Sequence, residues 1–171
     1  MKKVVLTFGA LSGTIPVMMF VIAPLISKDL HGSLILGWTT IILSAVFIFV
    51  GIRSYRENYN NGVISFGKAL KVGLLITLIG ALMYVLVWEI MYFNFMHDMM
   101  DGYFAAEMDK VKASGASAEE IEKSRVMWDS YKNNPLVNAA FTILEPITVT
   151  IPVSFIAALI MKQKTKKEVA V

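Results

Sequence analysis

Apolar residues gather into four long blocks along this chain, Val4–Ile26, Leu34–Ile52, Val72–Phe95 and Leu136–Met161, of 23, 19, 24 and 26 residues. A helix needs roughly 20 residues to cross the hydrocarbon core of a bilayer, so each block predicts a transmembrane helix. Between the second and third blocks, Asn60-Asn61-Gly62 predicts a turn, because Asn and Gly tolerate positive φ. Ser65 then stands as the N-cap of the third helix, which is expected to begin before the membrane and run straight into it. The more polar segment 96–135 is patterned as well. Phe104, Met108 and Val111 recur at helical spacing, and Ser117 with Glu120 forms a capping box that opens a second helix. Within that helix Ile121, Ser124, Trp128 and Tyr131 share one face. Residues 112–116 supply the turn between the two, and Asn133-Asn134-Pro135 ends the second before the fourth block. The pattern predicts an all-α integral membrane protein. It is a single membrane domain over residues 1–171, with four transmembrane helices and an extracytoplasmic helical hairpin between spans three and four.

Composition narrows the class. The chain is 56% apolar and 17% charged, with a mean hydropathy of +0.63, whereas a soluble domain carries about 25% charge. The four blocks hold 92 of the 171 residues, leaving no room for a separate catalytic domain. No Ser/His/Asp order, HExxH helix or phosphate loop occurs either, so an enzyme is not expected. The absence of cysteine excludes disulfides and thiolate metal sites. Met96-His97-Asp98-Met99-Met100 offers soft and imidazole ligands of the kind that suit copper, but neighbours in sequence diverge around a helix. Neither a metal nor any other cofactor is expected, and His97 reads as an interfacial residue. Met1-Lys2-Lys3 before an apolar run also begins a secretory signal. Here the run is too long, and Pro24 occupies the one candidate cleavage region, so the block is expected to stay as the first span.

Charge then orients the spans. Lys and Arg accumulate on the cytoplasmic side of membrane helices. Lys2, Lys3, Arg53, Arg56, Lys68, Lys71, Lys162, Lys164, Lys166 and Lys167 fall on one side. Lys28, Lys110, Lys112, Lys123, Arg125 and Lys132 fall on the other. Ten against six places both termini in the cytoplasm and the hairpin outside. The net charge of +3 is accounted for by this topology, and no nucleic-acid partner is expected. Arg53, Arg56, Lys68 and Lys71 are the candidates for contact with anionic lipids at the cytoplasmic face or with a membrane partner. The plainer reading makes them an ordinary positive-inside anchor.

Several local strings carry a family likeness. They are Gly51-Ile-Arg53-Ser-Tyr55-Arg56, then Ile64-Ser-Phe66-Gly67-Lys68-Ala69-Leu-Lys71-Val-Gly73, and Trp88-Glu89 with Tyr92-Phe93-Asn94-Phe95. Ala113-Ser-Gly115-Ala-Ser117 and Asn134-Pro135-Leu136 leading to Glu145-Pro146 complete the set. Together they resemble the domain-of-unknown-function 4199 family of small bacterial four-span inner-membrane proteins, over nearly the whole chain. The resemblance implies the four-span topology and the outer hairpin, and it brings no activity with it.

Two charged residues, Glu89 and Glu145, lie inside the blocks, with no Lys or Arg inside a block to neutralise them. Insertion scales put an Asp at the helix centre at roughly 2.5 kcal/mol or more. At about 1.5 Å per residue the two lie about 9 and about 14 Å below the outer edge of their blocks, which allows them one layer. Asn138, Thr142 and Thr148 fall within about 60° of Glu145 around span four, and Tyr92 lies one turn from Glu89. The expected site is therefore an intramembrane polar cluster of Glu89, Glu145, Tyr92, Asn138, Thr142 and Thr148, with Thr39, Thr40 and Ser44 of span two at similar depth. Tyr84, Trp88 and Trp128 read as packing and belt aromatics. Two functions stay open. The cluster is interhelical glue in a non-catalytic membrane component or scaffold, with both acids protonated. Alternatively it is the proton or cation site of a homo-oligomeric transporter of a small solute.

Overall fold

A computed structural model describes residues 1–26, 30–97 and 99–163, with side chains left out at 20–34 and at 99. Lys28, Asp98, Lys164, Lys166 and Lys167, which entered the charge and ligand readings above, lie outside the described residues. The described chain is helical, with no strand among those residues. Its helices are α1 (Lys2–Ile26), α2 (Leu30–Ser44), α3 (Val46–Tyr59), α4 (Phe66–Met91), α5 (Met99–Ala113), α6 (Ala118–Asn133), α7 (Pro135–Thr142) and α8 (Leu144–Met161). Among the described residues three stretches, against the four expected, are long and apolar enough to cross a membrane, Ile35–Tyr59, Phe66–Met96 and Pro135–Met161. The first block is the continuous 25-residue helix α1.

Local chemistry explains the boundaries. The second block was expected to end at Ile52, yet α3 continues to Tyr59, because nothing in Arg53–Tyr59 breaks a helix. It stops where Asn61 and Gly62 take positive φ, 53° and 79°. The Ser65 hydroxyl then accepts the Lys68 amide at 3.4 Å, in the N-cap role. Ser117 and Glu120 bond reciprocally as a capping box, and Gly115 (φ 78°) makes the turn before it. Asn134 caps α7, accepting the Leu136 and Val137 amides, with Pro135 at the first helical position. The fourth block is broken at Ile143, between α7 and α8. Pro146 has no N–H for the Thr142 carbonyl, so the ladder fails there.

The chain forms two compact units, residues 1–84 with 144–171, and residues 85–143; the boundary falls within α4. In the first unit α4 buries Ala69, Val72, Gly73, Ile76, Thr77, Gly80, Ala81 and Tyr84, a stripe at helical spacing. Small residues let the backbones approach. A Cβ on Gly9 would stand 2.6 Å from Ile79 Cβ, and one on Gly13 would stand 3.0 Å from the Gly80 carbonyl. Such close approach supplies the dispersion contacts that hold apolar helices together where lipid competes equally for apolar surface. Ile64 and Gln163 exchange two backbone hydrogen bonds, of 2.8 and 2.9 Å, as an isolated antiparallel bridge. It ties the α3–α4 loop to the end of α8.

The second unit is built on rings. Tyr92, Met100 and Phe104 are buried against Trp88, Phe93, Met96, Tyr103, Trp128 and Tyr131. The hairpin α5–α6 is closed by Phe104 against Trp128, ring centroids 5.1 Å apart, and by the Lys132–Asp101 ion pair at 2.5 Å. At Tyr92–Met96 the helix widens into a π turn, which the sequence pattern did not foresee.

Candidate functional site

Two separate polar constellations are described, one in each unit. In the second unit Asn138 is fully buried, and its amide serves three partners. Its Oδ1 accepts the Trp88 indole N–H at 2.9 Å and the Thr142 hydroxyl at 3.2 Å, and its Nδ2 donates to the Tyr131 carbonyl at 3.2 Å. The Tyr131 and Thr142 hydroxyls lie 3.5 Å apart. A primary amide offers two donors and two acceptor sites, so one side chain fastens α4, α6 and α7. Trp88, read from sequence as a packing aromatic, is thus a hydrogen-bonding member of the site. An indole N–H within reach of an Asn one block away leaves no mark in a linear pattern.

Beside this network two atoms lack partners. Among the described residues Glu89 Oε1 and Tyr92 Oη are buried with no hydrogen bond. Glu89 is half-buried as a residue, whereas Tyr92 has no exposed surface. The Tyr92 ring is held by Trp88, Phe93, His97 and Tyr131, centroids 4.9 to 5.9 Å away. Tyr92 opens the π turn, a distortion that occurs frequently at functional sites. A carboxyl oxygen and a phenol one helical turn apart can take up a proton or a hydrogen-bond donor between them.

In the first unit Glu145 is exposed, and its Oε2 accepts the hydroxyl of buried Tyr84 at 2.7 Å. Thr148 turns its hydroxyl back to the Glu145 carbonyl at 2.8 Å. The hydroxyls of span two do likewise: Thr39, Thr40 and Ser44 donate to the carbonyls of Ile35, Gly37 and Ile41 within their own helix. This is the usual resource of Ser and Thr in an apolar helix, and it leaves the side chains bonded locally. Deeper in the bundle Thr77 and Ser154 hydroxyls meet at 3.1 Å, and Ser12 donates to the Ser44 carbonyl at 3.2 Å. The cluster residues therefore divide: Asn138 and Thr142 share one network, Glu89 and Tyr92 carry its unpartnered atoms, and Glu145 and Thr148 belong to the other unit.

The four basic candidates also divide. Arg56 donates to the Met161 carbonyl at 3.1 Å and pairs with Glu57 at 2.6 Å. Lys68 donates to Asn60 Oδ1 at 2.8 Å and stands 5.5 Å from the Tyr55 ring centroid. Arg53 and Lys71 are exposed. Among the described residues no group of three or more His, Cys, Asp or Glu is placed to hold a metal ion.

A family profile for a protein of unknown function, DUF4199, matches residues 7–163. The chain belongs to the DUF4199 family. No curated protein and no solved structure matches it. For this DUF4199 chain the strings that carried the resemblance fall at structural joints: the α3–α4 loop with its bridge, the Trp88–Tyr92 segment, and the Asn134 cap with the Pro146 break.

Proposed function

We propose that this DUF4199 protein is a four-span, non-catalytic component of the bacterial inner membrane. Both termini are cytoplasmic and the α5–α6 hairpin is outside. The observation that carries this reading is the Asn138 network, a buried polar group whose bonds close on neighbouring helices rather than on an open cleft. Polar contacts of that kind hold membrane helices together. The excess of Lys and Arg on one side of the spans supports the orientation. The exposed Arg53 and Lys71 are the groups that meet anionic lipid at the cytoplasmic face, while Arg56 and Lys68 brace the loop.

A second reading, an oligomeric proton- or cation-coupled transporter of a small solute, is favoured by the unpartnered Glu89 Oε1 and Tyr92 Oη. Reconstitution of the full chain into liposomes separates the two. The scaffold reading expects no pH-driven or cation flux above empty vesicles, and an Asn138→Ala variant that unfolds more readily in detergent. Flux that Glu89→Gln or Glu145→Gln abolishes replaces it with the transporter.

A further inference from the structure

Glu145 is an exposed residue in a stretch with the composition of a membrane span. It is the eleventh residue of Pro135–Met161. Counted along α8 alone it stands sixteen residues before Met161, about 24 Å at about 1.5 Å per residue, within the reach of a hydrocarbon layer about 30 Å thick. Tyr84 serves Oε2 of this exposed acid. A carboxylic acid has further donor and acceptor capacity, which lipid chains cannot meet. Thr148 is exposed one turn further on and keeps acceptor capacity after donating to its own helix.

The outward face of α4 behaves differently. Leu74, Leu78 and Leu82 are exposed there at intervals of four, wholly aliphatic, and lipid satisfies them. Of the nine exposed residues of α8, one row, Glu145, Thr148, Pro152, Phe155 and Leu159, is spaced three, four, three and four. That is the seam of a left-handed helix pair, and a single polar residue on such a seam fixes its register.

We propose that α8 pairs with α8 of a second copy of this chain across Glu145, as a two-fold dimer. The inference rests on the membrane placement proposed above. Two copies inserted the same way are related by an axis along the membrane normal, and residues near that axis meet their own counterparts. A protonated carboxyl both donates and accepts, so a second Glu145 supplies what the first lacks.

The chain has no cysteine, so Thr148→Cys introduces a single thiol. Full-length protein in native membranes is oxidised, with Leu78→Cys on the aliphatic face as control. Disulfide-linked dimer is expected at 148 and not at 78. Adding Glu145→Leu to Thr148→Cys reduces the dimer about tenfold, a loss of about 1.4 kcal/mol, while Glu145→Gln, whose amide also pairs with itself, preserves it. Equal cross-linking at both positions, a dimer indifferent to Glu145→Leu, or linkage to a different protein overturns the pairing. The comparison of 148 with 78 stands even if the leucine variant does not fold. A membrane-impermeant maleimide separates the premises. Labelling of the 148 thiol from water overturns the membrane placement itself, whereas a thiol that is neither labelled nor cross-linked overturns the dimer alone.

Discussion

The two units hold their helices together by different means. In the first, close backbone approach does most of it: Gly9, Gly13, Gly51, Gly73 and Gly80 each face a neighbouring helix at distances a side chain would occupy. Its buried hydroxyls at Ser12, Thr77 and Ser154 are all bonded. In the second, large rings and one amide do it, and two buried polar atoms are left over. A bundle of small residues is intolerant of added volume, because backbone and branched side chains cannot step aside. A cluster of rings depends instead on the polar groups that orient them.

Adding a methyl group tests the contrast most severely. Gly9→Ala puts its Cβ 2.6 Å from Ile79 Cβ and should cost about 1–3 kcal/mol, read as thermal unfolding in detergent. In the second unit Gly102 has nothing within 4 Å of the same position, and Gly102→Ala should stabilise α5 by up to about 1 kcal/mol. If both changes act alike, the packing difference is not real.

Deletion of the amide probes the other half. Asn138→Leu leaves an indole N–H, a hydroxyl and a carbonyl to find new partners, at about 1–3 kcal/mol. Near-UV circular dichroism should report loosened rings. Tyr92→Phe sharpens the point by its sign. It removes a buried hydroxyl that has no bond, so the variant should be as stable as the parent or more so, by about 1 kcal/mol. A destabilised Tyr92→Phe would mean that the hydroxyl is bonded after all.

The smallest effect lies on the hairpin. The backbone amide and hydroxyl of Ser117 hold the Glu120 carboxyl below its usual 4.5. A carboxyl depressed by folding contributes stability above its unfolded value, and that contribution disappears as pH falls through the folded one. The protection factor of the amides at the start of α6, their exchange relative to the unfolded chain at the same pH, should therefore fall below about pH 4.5 and stay level above it, and Glu120→Gln should flatten that profile.

What sequence reasoning reached depended on range. Caps and turns are written in neighbouring residues, so Ser65, Ser117–Glu120, Gly115 and Asn134–Pro135 were all legible. The length of the apolar blocks was legible for the same reason. The polar site was half legible. Asn138 and Thr142 stand four apart and reveal their shared face, but the donors Trp88 and Tyr84 come from a helix fifty or more residues away, at spacings no period marks. Thr39, Thr40 and Ser44 were grouped by depth and Thr148 by its angle to Glu145, yet all four hydroxyls bond within their own helices. The π turn has no period of its own, and the Ile143 break could be read only through Pro146.

The pair of backbone hydrogen bonds between Ile64 and Gln163 has a consequence for biogenesis. Gln163 follows every described helix in chain order, so it leaves the ribosome after all of them. The loop at Ile64 must wait through the synthesis of five further helices before its partner exists. Protection of the Ile64 amide thus acts as a timestamp, present on chains that have finished insertion and missing from those that have not.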